Sequence, residues 1–257
     1  MKLKLSLLTL VLLVLFTFSA CDGFDLLRGN LFADLETPTT TLTDLAEGDS
    51  DTLVQNLQAY KLYSSFYEDL IADETVKVEI LTKLDTAMTT AETPAAKQEA
   101  ALLYVDIQLN TTSAGAVTQG VVTLAEDLIP LMGSDSEEPT ETPDVQEVFV
   151  SLFNGIEGED LDTTLQAMVD SASAFDAYVT SMYNPDNDPY EFPPATNVVE
   201  VATAALTCAL VEAVGAATVK DVIAGTAALT VDETTLEDRG VVNLFEALGN
   251  YFINSVL

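Results

Sequence analysis

The sequence contains no histidine and no tryptophan, and its only cysteines are Cys21 and Cys208. Without histidine the chain has no Ser-His-Asp or Cys-His catalytic group and no imidazole ligand for zinc or iron. It also lacks a Ser-x-x-Lys pair, a Walker loop and a G-x-G-x-x-G motif. Cys208 lies in an apolar, alanine-rich run, which favours a buried and unreactive thiol. We therefore expect a protein that is not an enzyme and uses no cofactor.

Basic residues are also scarce. Nine Lys and Arg stand against 42 Asp and Glu, which gives a formal net charge of −33. A surface of this sign repels nucleic-acid phosphates, so nucleic-acid binding is excluded as a function. An acid excess with few lysines is typical of a salt-adapted surface, because dissolved ions screen the self-repulsion that opposes folding. Specific binding of cations or of a basic partner is the alternative explanation of this charge.

The first 21 residues form a leader that is positively charged and then apolar. Lys2 and Lys4 precede an apolar run that is short for a helix crossing a bilayer. Phe18 does not suit the −3 position of an ordinary signal-peptidase site, and no positive stop-transfer flank follows the run. The stretch Phe18-Ser19-Ala20-Cys21 resembles the lipobox of bacterial lipoproteins.

The lipobox resemblance implies that residues 1–20 are a signal peptide and that Cys21 becomes the lipidated N-terminus. Two or three acyl chains hold a protein stably at a membrane, whereas a single chain holds it only marginally. The resemblance thus implies lipid anchoring in the bacterial cell envelope, with the protein facing the periplasm or the cell exterior. In enterobacterial lipoproteins an aspartate after the cysteine marks retention in the inner membrane, and Asp22 occupies that position.

After the leader, the sequence divides into a polar tether and a helical domain. Residues 21–51 contain Pro38, a threonine cluster and an acidic end, which predict a flexible acidic tether. From residue 52 to residue 257, apolar residues recur every three or four positions, which predicts a single all-α domain. Long helices are expected over residues 52–71, 74–91, 94–110, 116–132, 160–183, 196–214 and 240–256.

Two architectures fit this succession of helices. One is an antiparallel helical bundle, and the other is an irregular helical-repeat array. The stretch 96–130 resembles one tetratricopeptide (TPR) repeat, although Asp106 stands where that repeat has a small residue. The positions that carry the resemblance are Ala100, Ala101, Leu102, Leu103, Tyr104, Ala125 and Pro130.

One candidate metal site is formed by Asp186, Asp188 and Glu191. Alternating oxygen ligands begin at Asn184, as they do in a calcium-binding loop. However, Pro189 stands where such a loop has its sixth-position glycine. The alternative interpretation is a turn rich in Asn and Asp and bracketed by prolines.

A second candidate site is a tyrosine-lined groove in the first half of the helical domain. Tyr60, Tyr63, Tyr67 and Tyr104 lie in helices that we expect to pack against one another. A groove of this kind with acidic rims would receive a peptide or a small ligand. The alternative is that these tyrosines are part of the core.

These features predict a lipid-anchored, non-enzymatic envelope protein that acts as a binding or scaffolding component. Its membrane contact would be made through Cys21, and its partner would be another envelope protein. The alternative is a solute- or cation-binding lipoprotein that feeds a transporter. An enzyme that uses paired carboxylates on sugars is a third hypothesis, and the absence of tryptophan platforms argues against it.

Overall fold

A computed structural model describes residues 41–48, 50–61, 63, 65–121, 123, 144–183, 190–193 and 196–256. This part of the chain is all-α, as predicted, and holds one isolated β-bridge and no strand. Residues 114–121 are helical as well. The named helices are α1 (Leu42–Glu47), α2 (Ser50–Tyr60), α3 (Phe66–Ala72), α4 (Glu74–Thr90), α5 (Pro94–Asn110), α6 (Val145–Ser151), α7 (Gly158–Ser181), α8 (Val198–Val214), α9 (Ala216–Ile223), α10 (Glu233–Asp238) and α11 (Val241–Val256).

Polar side chains fix where many of these helices begin. Asp73 accepts a hydrogen bond from the backbone N–H of Val76 at the start of α4, and Thr93 accepts one from Ala96 at the start of α5. Pro94 occupies the first turn of α5, where a backbone N–H has no intrahelical acceptor to lose. Each cap satisfies a backbone donor that the helix start leaves unpaired, and contributes about 1 kcal/mol.

The predicted tether of residues 21–51 is wrong at its C-terminal end, because the packed domain already includes α1. Leu42 and Leu45 are buried, and α1 packs on α2 and α4. The Lys83 ammonium on α4 donates to two carbonyl oxygens at the end of α1, and the one on Gly48 is 2.8 Å away. A cation there satisfies carbonyls that lack helical partners and complements the helix dipole. Any tether therefore ends before residue 41.

The centre of the fold consists of four long helices. Helix α5 packs along both α4 and α7, α4 also touches α7, and α8 packs along the other side of α7. Buried alanines on these helices, such as Ala100, Ala172 and Ala205, leave room for close approach of the helix axes. Helices α4, α5 and α7 all touch one another, an arrangement that fits both the helical bundle and the irregular repeat array expected from the sequence.

Helix α8 is the most enclosed element. All of its residues are buried except Val199 and Glu212. It ends at Gly215, whose φ of +82° suits glycine, and the chain bends by 86° into α9. By length and composition, no single helix in the described part would span a bilayer, whereas the bent pair α8–α9 passes that test when both halves are counted together.

Candidate functional site

Three of the four predicted groove tyrosines lie in one aromatic cluster at the corner between α2 and α3. The ring centroids of Tyr60 and Tyr63 are 5.5 Å apart, and Phe66 lies 6.0 Å from Tyr60 and 4.9 Å from Tyr67. Tyr60 and Phe66 are buried, whereas Tyr63 and Tyr67 are half-buried and pack against the core. Tyr104 is half-buried on α5. The cluster accounts for the packing of these rings, and a ligand groove between them stays a prediction.

A buried ion pair lies next to this cluster. The Asp106 side chain on α5 is only 2% exposed, and its carboxylate is 2.9 Å from the Lys61 ammonium. The Tyr67 hydroxyl donates to the same carboxylate at 2.6 Å, and the Asn110 side-chain amide donates to it at 3.2 Å. The residue that departs from the TPR pattern is therefore the acceptor of a three-donor network.

Burial and the neighbouring groups shift the pKa values of two residues in this network. Burial raises the pKa of Asp106, while the Lys61 charge and the Tyr67 hydrogen bond act in the opposite direction. Burial and the neighbouring carboxylate raise the pKa of Tyr67, so its hydroxyl remains a proton donor. Because each donor is bound to Asp106, the network joins α3 and the end of α2 to the middle of α5.

A second polar cluster joins α5 to α7. Asp170 accepts hydrogen bonds from the side-chain amides of Gln166 at 2.8 Å and Gln108 at 3.5 Å. Gln108 also donates to the Tyr104 hydroxyl at 3.3 Å. Partial burial raises the pKa of Asp170, and the negative charge of Asp85 acts in the same direction. Residues from α5 and α7 thus share one hydrogen-bonded junction, and the negative charge of Asp85 on α4 acts on it.

A third cluster fastens α10 to α8. The Arg239 guanidinium donates to both carboxylate oxygens of Glu212, at 2.6 Å and 2.5 Å. Asp176 on α7 is half-buried, and burial raises its pKa against the effect of Arg239. Cys208 is buried as predicted, one turn before Glu212, and burial raises the pKa of its thiol. The Arg239–Glu212 pair thus links α8 to the residue that follows α10.

The predicted calcium ligands are only partly within the described residues. Glu191 is exposed beside the half-buried Tyr190. Asp186 and Asp188 lie outside the described residues, as do Cys21 and the whole leader. Among the residues that the structure does describe, no group of three or more Asp, Glu, Cys or His side chains is arranged to hold a metal ion. The calcium site therefore stays a prediction.

A set of aromatic side chains at the end of α11 forms a surface that the sequence did not reveal. We call it the aromatic patch, and it comprises Tyr183, Tyr190, Phe192, Tyr251 and Phe252. Ring centroids are 5.4 Å apart for Tyr183 and Tyr190, 6.5 Å for Phe192 and Tyr251, and 5.4 Å for Tyr251 and Phe252. Tyr183 is 44% exposed, Tyr251 is 42% exposed and Phe252 is 40% exposed.

The backbone holds the two halves of the aromatic patch together. Tyr183 and Tyr190 form an isolated antiparallel bridge, which brings the segment before α8 alongside the end of α7. The Asn250 side chain on α11 donates a hydrogen bond to the carbonyl oxygen of Tyr190 at 3.1 Å. Side chains from two distant stretches of sequence are thereby fixed at one place on the surface.

The apolar face of α11 contains buried side chains followed by exposed ones. Val241, Leu244 and Leu248 are buried on the side that packs against α7 and α8. Tyr251 and Phe252 follow at the three- and four-residue spacing that keeps them on this side. From spacing alone Phe252 is expected inside, but its side chain is 40% exposed.

An exposed carboxylate lies beside the aromatic patch, at Glu191 between Tyr190 and Phe192. The last turn of α11 carries no basic residue that would balance the negative end of the helix dipole.

Most cations of the described residues are bound within the fold. Five of its six Lys and Arg side chains contact carboxylates or backbone carbonyls, namely Lys61, Lys77, Lys83, Lys220 and Arg239. The sixth is Lys97 on α5. Little positive charge therefore remains to offset the acidic surface.

Apolar surface of this kind on a protein often marks a contact with another molecule. No family model matches the chain, and no curated protein or solved structure is significantly similar to it.

Proposed function

We propose that this protein is a lipid-anchored, non-enzymatic component of a bacterial envelope assembly and that it binds another envelope protein. Anchoring is assigned to Cys21, as the lipobox resemblance implies. Residues between Cys21 and α1 separate the lipid from the helical domain. The domain serves as a scaffold that presents a binding surface near the membrane.

The aromatic patch is the observation that carries this proposal. The polar groups around Asp106, Asp170 and Glu212 bind one another within the fold. Three of the five rings of the aromatic patch are about two-fifths exposed. Tyrosine and phenylalanine contribute strongly to protein interfaces because they bury a large area and lose little conformational freedom.

Affinity capture from solubilised envelopes of the producing bacterium tests the proposed function. The bait is the full chain, and the patch variant carries Tyr251→Ala and Phe252→Ala. A matched control carries Ile71→Ala and Val78→Ala, which remove two exposed apolar side chains from α3 and α4. We expect one defined protein to be retained by the wild type and the control and lost with the patch variant. Equal retention by all three baits would contradict the proposal.

The anchor has a separate test. Replacement of Cys21 with serine removes the thiol to which the lipid is attached. We expect the wild-type chain to sediment with membranes and to carry acyl chains on Cys21, as measured by mass spectrometry, whereas the variant keeps no lipid. A chain that carries no lipid at Cys21 in the wild type would overturn the anchoring half of the proposal.

A further inference from the structure

We infer that Asn154 is a site of spontaneous deamidation, at which the side-chain amide becomes a carboxylate without the help of an enzyme. Asn154 is the only asparagine of the chain that is followed by glycine. The backbone nitrogen of Gly155 is therefore the only nitrogen after an asparagine that no Cβ atom shields. This site lies between α6 and α7, so it is independent of the aromatic patch and goes beyond the proposed function.

The turn that contains Asn154 leaves both reacting groups open to solvent. A hydrogen bond of 3.1 Å from the Ile156 N–H to the Phe153 carbonyl oxygen closes a four-residue turn around Asn154 and Gly155, and both central residues are exposed. The φ of +84° at Gly155 explains why glycine stands there. Within the described part of the chain, neither the Asn154 side chain nor the Gly155 N–H has a hydrogen-bond partner. A Cβ atom added at Gly155 would meet nothing within 4 Å, so there is room for a ring to close.

The reaction needs only these two residues and water. The Gly155 nitrogen loses its proton to hydroxide and attacks Cγ of Asn154, so that an N–Cγ bond forms. The Cγ–Nδ2 bond breaks, and Nδ2 takes up a proton and leaves as ammonia. Water then opens the resulting cyclic imide at one of its two carbonyl groups, which gives either aspartate or isoaspartate.

Asn110, at the end of α5, shows the opposite arrangement. Its side-chain amide donates to the Asp106 carbonyl oxygen at 2.9 Å and to the Asp106 carboxylate at 3.2 Å. The N–H that follows it, on Thr111, donates to the Ile107 carbonyl oxygen at 3.0 Å. Both groups that would have to react are thus held by the helix end, and the β-branched side chain of Thr111 crowds the nitrogen.

The two products change the turn differently. Both add a carboxylate to a segment that already carries the exposed Glu157 and Asp160. Isoaspartate also lengthens the main chain by a methylene group between Phe153 and Ile156, whose side chains are buried. Because a close-packed interior does not absorb such a shift without cost, the isoaspartate form should unfold at a lower temperature than the Asn154→Asp variant.

Incubation of the purified full chain in water enriched in a heavy oxygen isotope provides the test. Peptide mapping by mass spectrometry follows residue 154 with time, and electron-induced fragmentation distinguishes aspartate from isoaspartate. Asn154→Gln keeps the amide but lengthens the side chain, which disfavours ring closure. Thr111→Gly places glycine after Asn110, where the backbone and side chain are held. Circular dichroism checks that both variants keep the helical content of the wild type.

We expect residue 154 to deamidate in the folded wild type, to take up heavy oxygen and to yield both products. The rate should rise with pH, because the attacking nitrogen must lose its proton. Asn154→Gln should slow the reaction at this position at least tenfold. In the Thr111→Gly variant, residue 154 should react at least tenfold faster than residue 110.

Three results would overturn the inference. The first is an intact amide at residue 154 after prolonged incubation at mildly alkaline pH. The second is reaction of Asn154→Gln at the wild-type rate, which would exclude the cyclic imide. The third is equal rates at residues 110 and 154 in the Thr111→Gly variant, which would show that the open turn has no influence on the reaction.

Discussion

The Lys61 ammonium and the Asp106 carboxylate form an ion pair of 2.9 Å that joins the end of α2 to the middle of α5. Asp106 is almost completely buried, whereas about a quarter of the Lys61 side chain is exposed. Loss of the cation leaves a buried carboxylate with only neutral donors, and this is more destabilising than loss of a surface pair.

Replacement of Lys61 with methionine should therefore lower the free energy of unfolding by about 2–3 kcal/mol. Tyr67→Phe should cost about 1–2 kcal/mol, since it removes one hydrogen bond to a charged acceptor. Urea denaturation followed by circular dichroism measures both. Lys220→Met is the control, because both side chains of the Lys220–Asp162 ion pair are exposed. Equal losses for Lys61→Met and Lys220→Met would contradict the structural role of the network.

The stability of the protein should increase as the pH falls through the raised pKa values of three aspartates toward about 4. Burial raises the pKa values of Asp106, Asp170 and Asp176 in the folded state. Each group therefore binds its proton more tightly when folded, and its stabilising contribution is complete below the unfolded pKa of about 4. That contribution is lost as the pH rises through the folded pKa.

Asp170→Asn should make this pH dependence less steep. Glu99→Gln, at an exposed position on α5, is the control, because it removes the same charge and changes the general self-repulsion equally. Urea midpoints at several pH values between 4 and 8 measure the slope for each protein. If the slope of stability against pH is unchanged in Asp170→Asn, or is reduced equally in both variants, the burial of Asp170 does not control the pH dependence of stability.

Two buried hydroxyl groups should be replaceable with a gain in stability. The Oγ1 atoms of Thr164 on α7 and Thr203 on α8 are buried without a hydrogen-bond partner. Valine has the same shape without the polar group, so Thr164→Val and Thr203→Val should each raise the free energy of unfolding by about 1 kcal/mol. Thr118→Val is the matched control, because that hydroxyl donates to a backbone carbonyl at 2.9 Å, and it should be destabilising. Destabilisation by all three substitutions would contradict the conclusion that the Thr164 and Thr203 hydroxyls lack hydrogen-bond partners.

Two glycines should respond in opposite directions to alanine. A Cβ atom added at Gly249 in α11 meets no atom within 4 Å, whereas one added at Gly115 lies 2.7 Å from the Leu109 carbonyl oxygen. Gly249→Ala should stabilise α11 by about 0.5–1 kcal/mol through its better helix propensity. Gly115→Ala should destabilise, because the backbone must shift. Thermal unfolding of the two variants measures both changes in stability. If both substitutions stabilise the protein, or both destabilise it, the result would contradict the local geometry.

Much of the helical architecture could be predicted from the sequence, because helix periodicity and capping are local signals. The helix expected over residues 94–110 matches α5, which begins at Pro94 after the Thr93 cap. The helix expected over residues 74–91 matches α4 to within one residue. Helix α1 was not predicted because it is only six residues long. Its three buried residues are too few to show a helical periodicity in the sequence, and the helix is stabilised by packing on α4.

The candidate site could not be predicted in the same way. Periodicity places Phe252 on the apolar side of α11, but whether that side is covered depends on where the neighbouring helices end. The contact between α11 and the segment of Tyr190 joins residues that are 60 positions apart, and no short motif encodes it. Likewise, a lone aspartate in the apolar run around Asp106 indicates a buried polar group, but its pairing with Lys61 is a tertiary contact.

The central claim is that the aromatic patch contacts another envelope protein in the cell, and site-specific photocrosslinking tests it most directly. A photoreactive phenylalanine analogue is placed at Tyr251 in one strain and at Ile71 in another, and intact cells are irradiated. We predict one discrete protein adduct from position 251 and none from position 71. No protein adduct at position 251, or the same adducts from both positions, would contradict the claim.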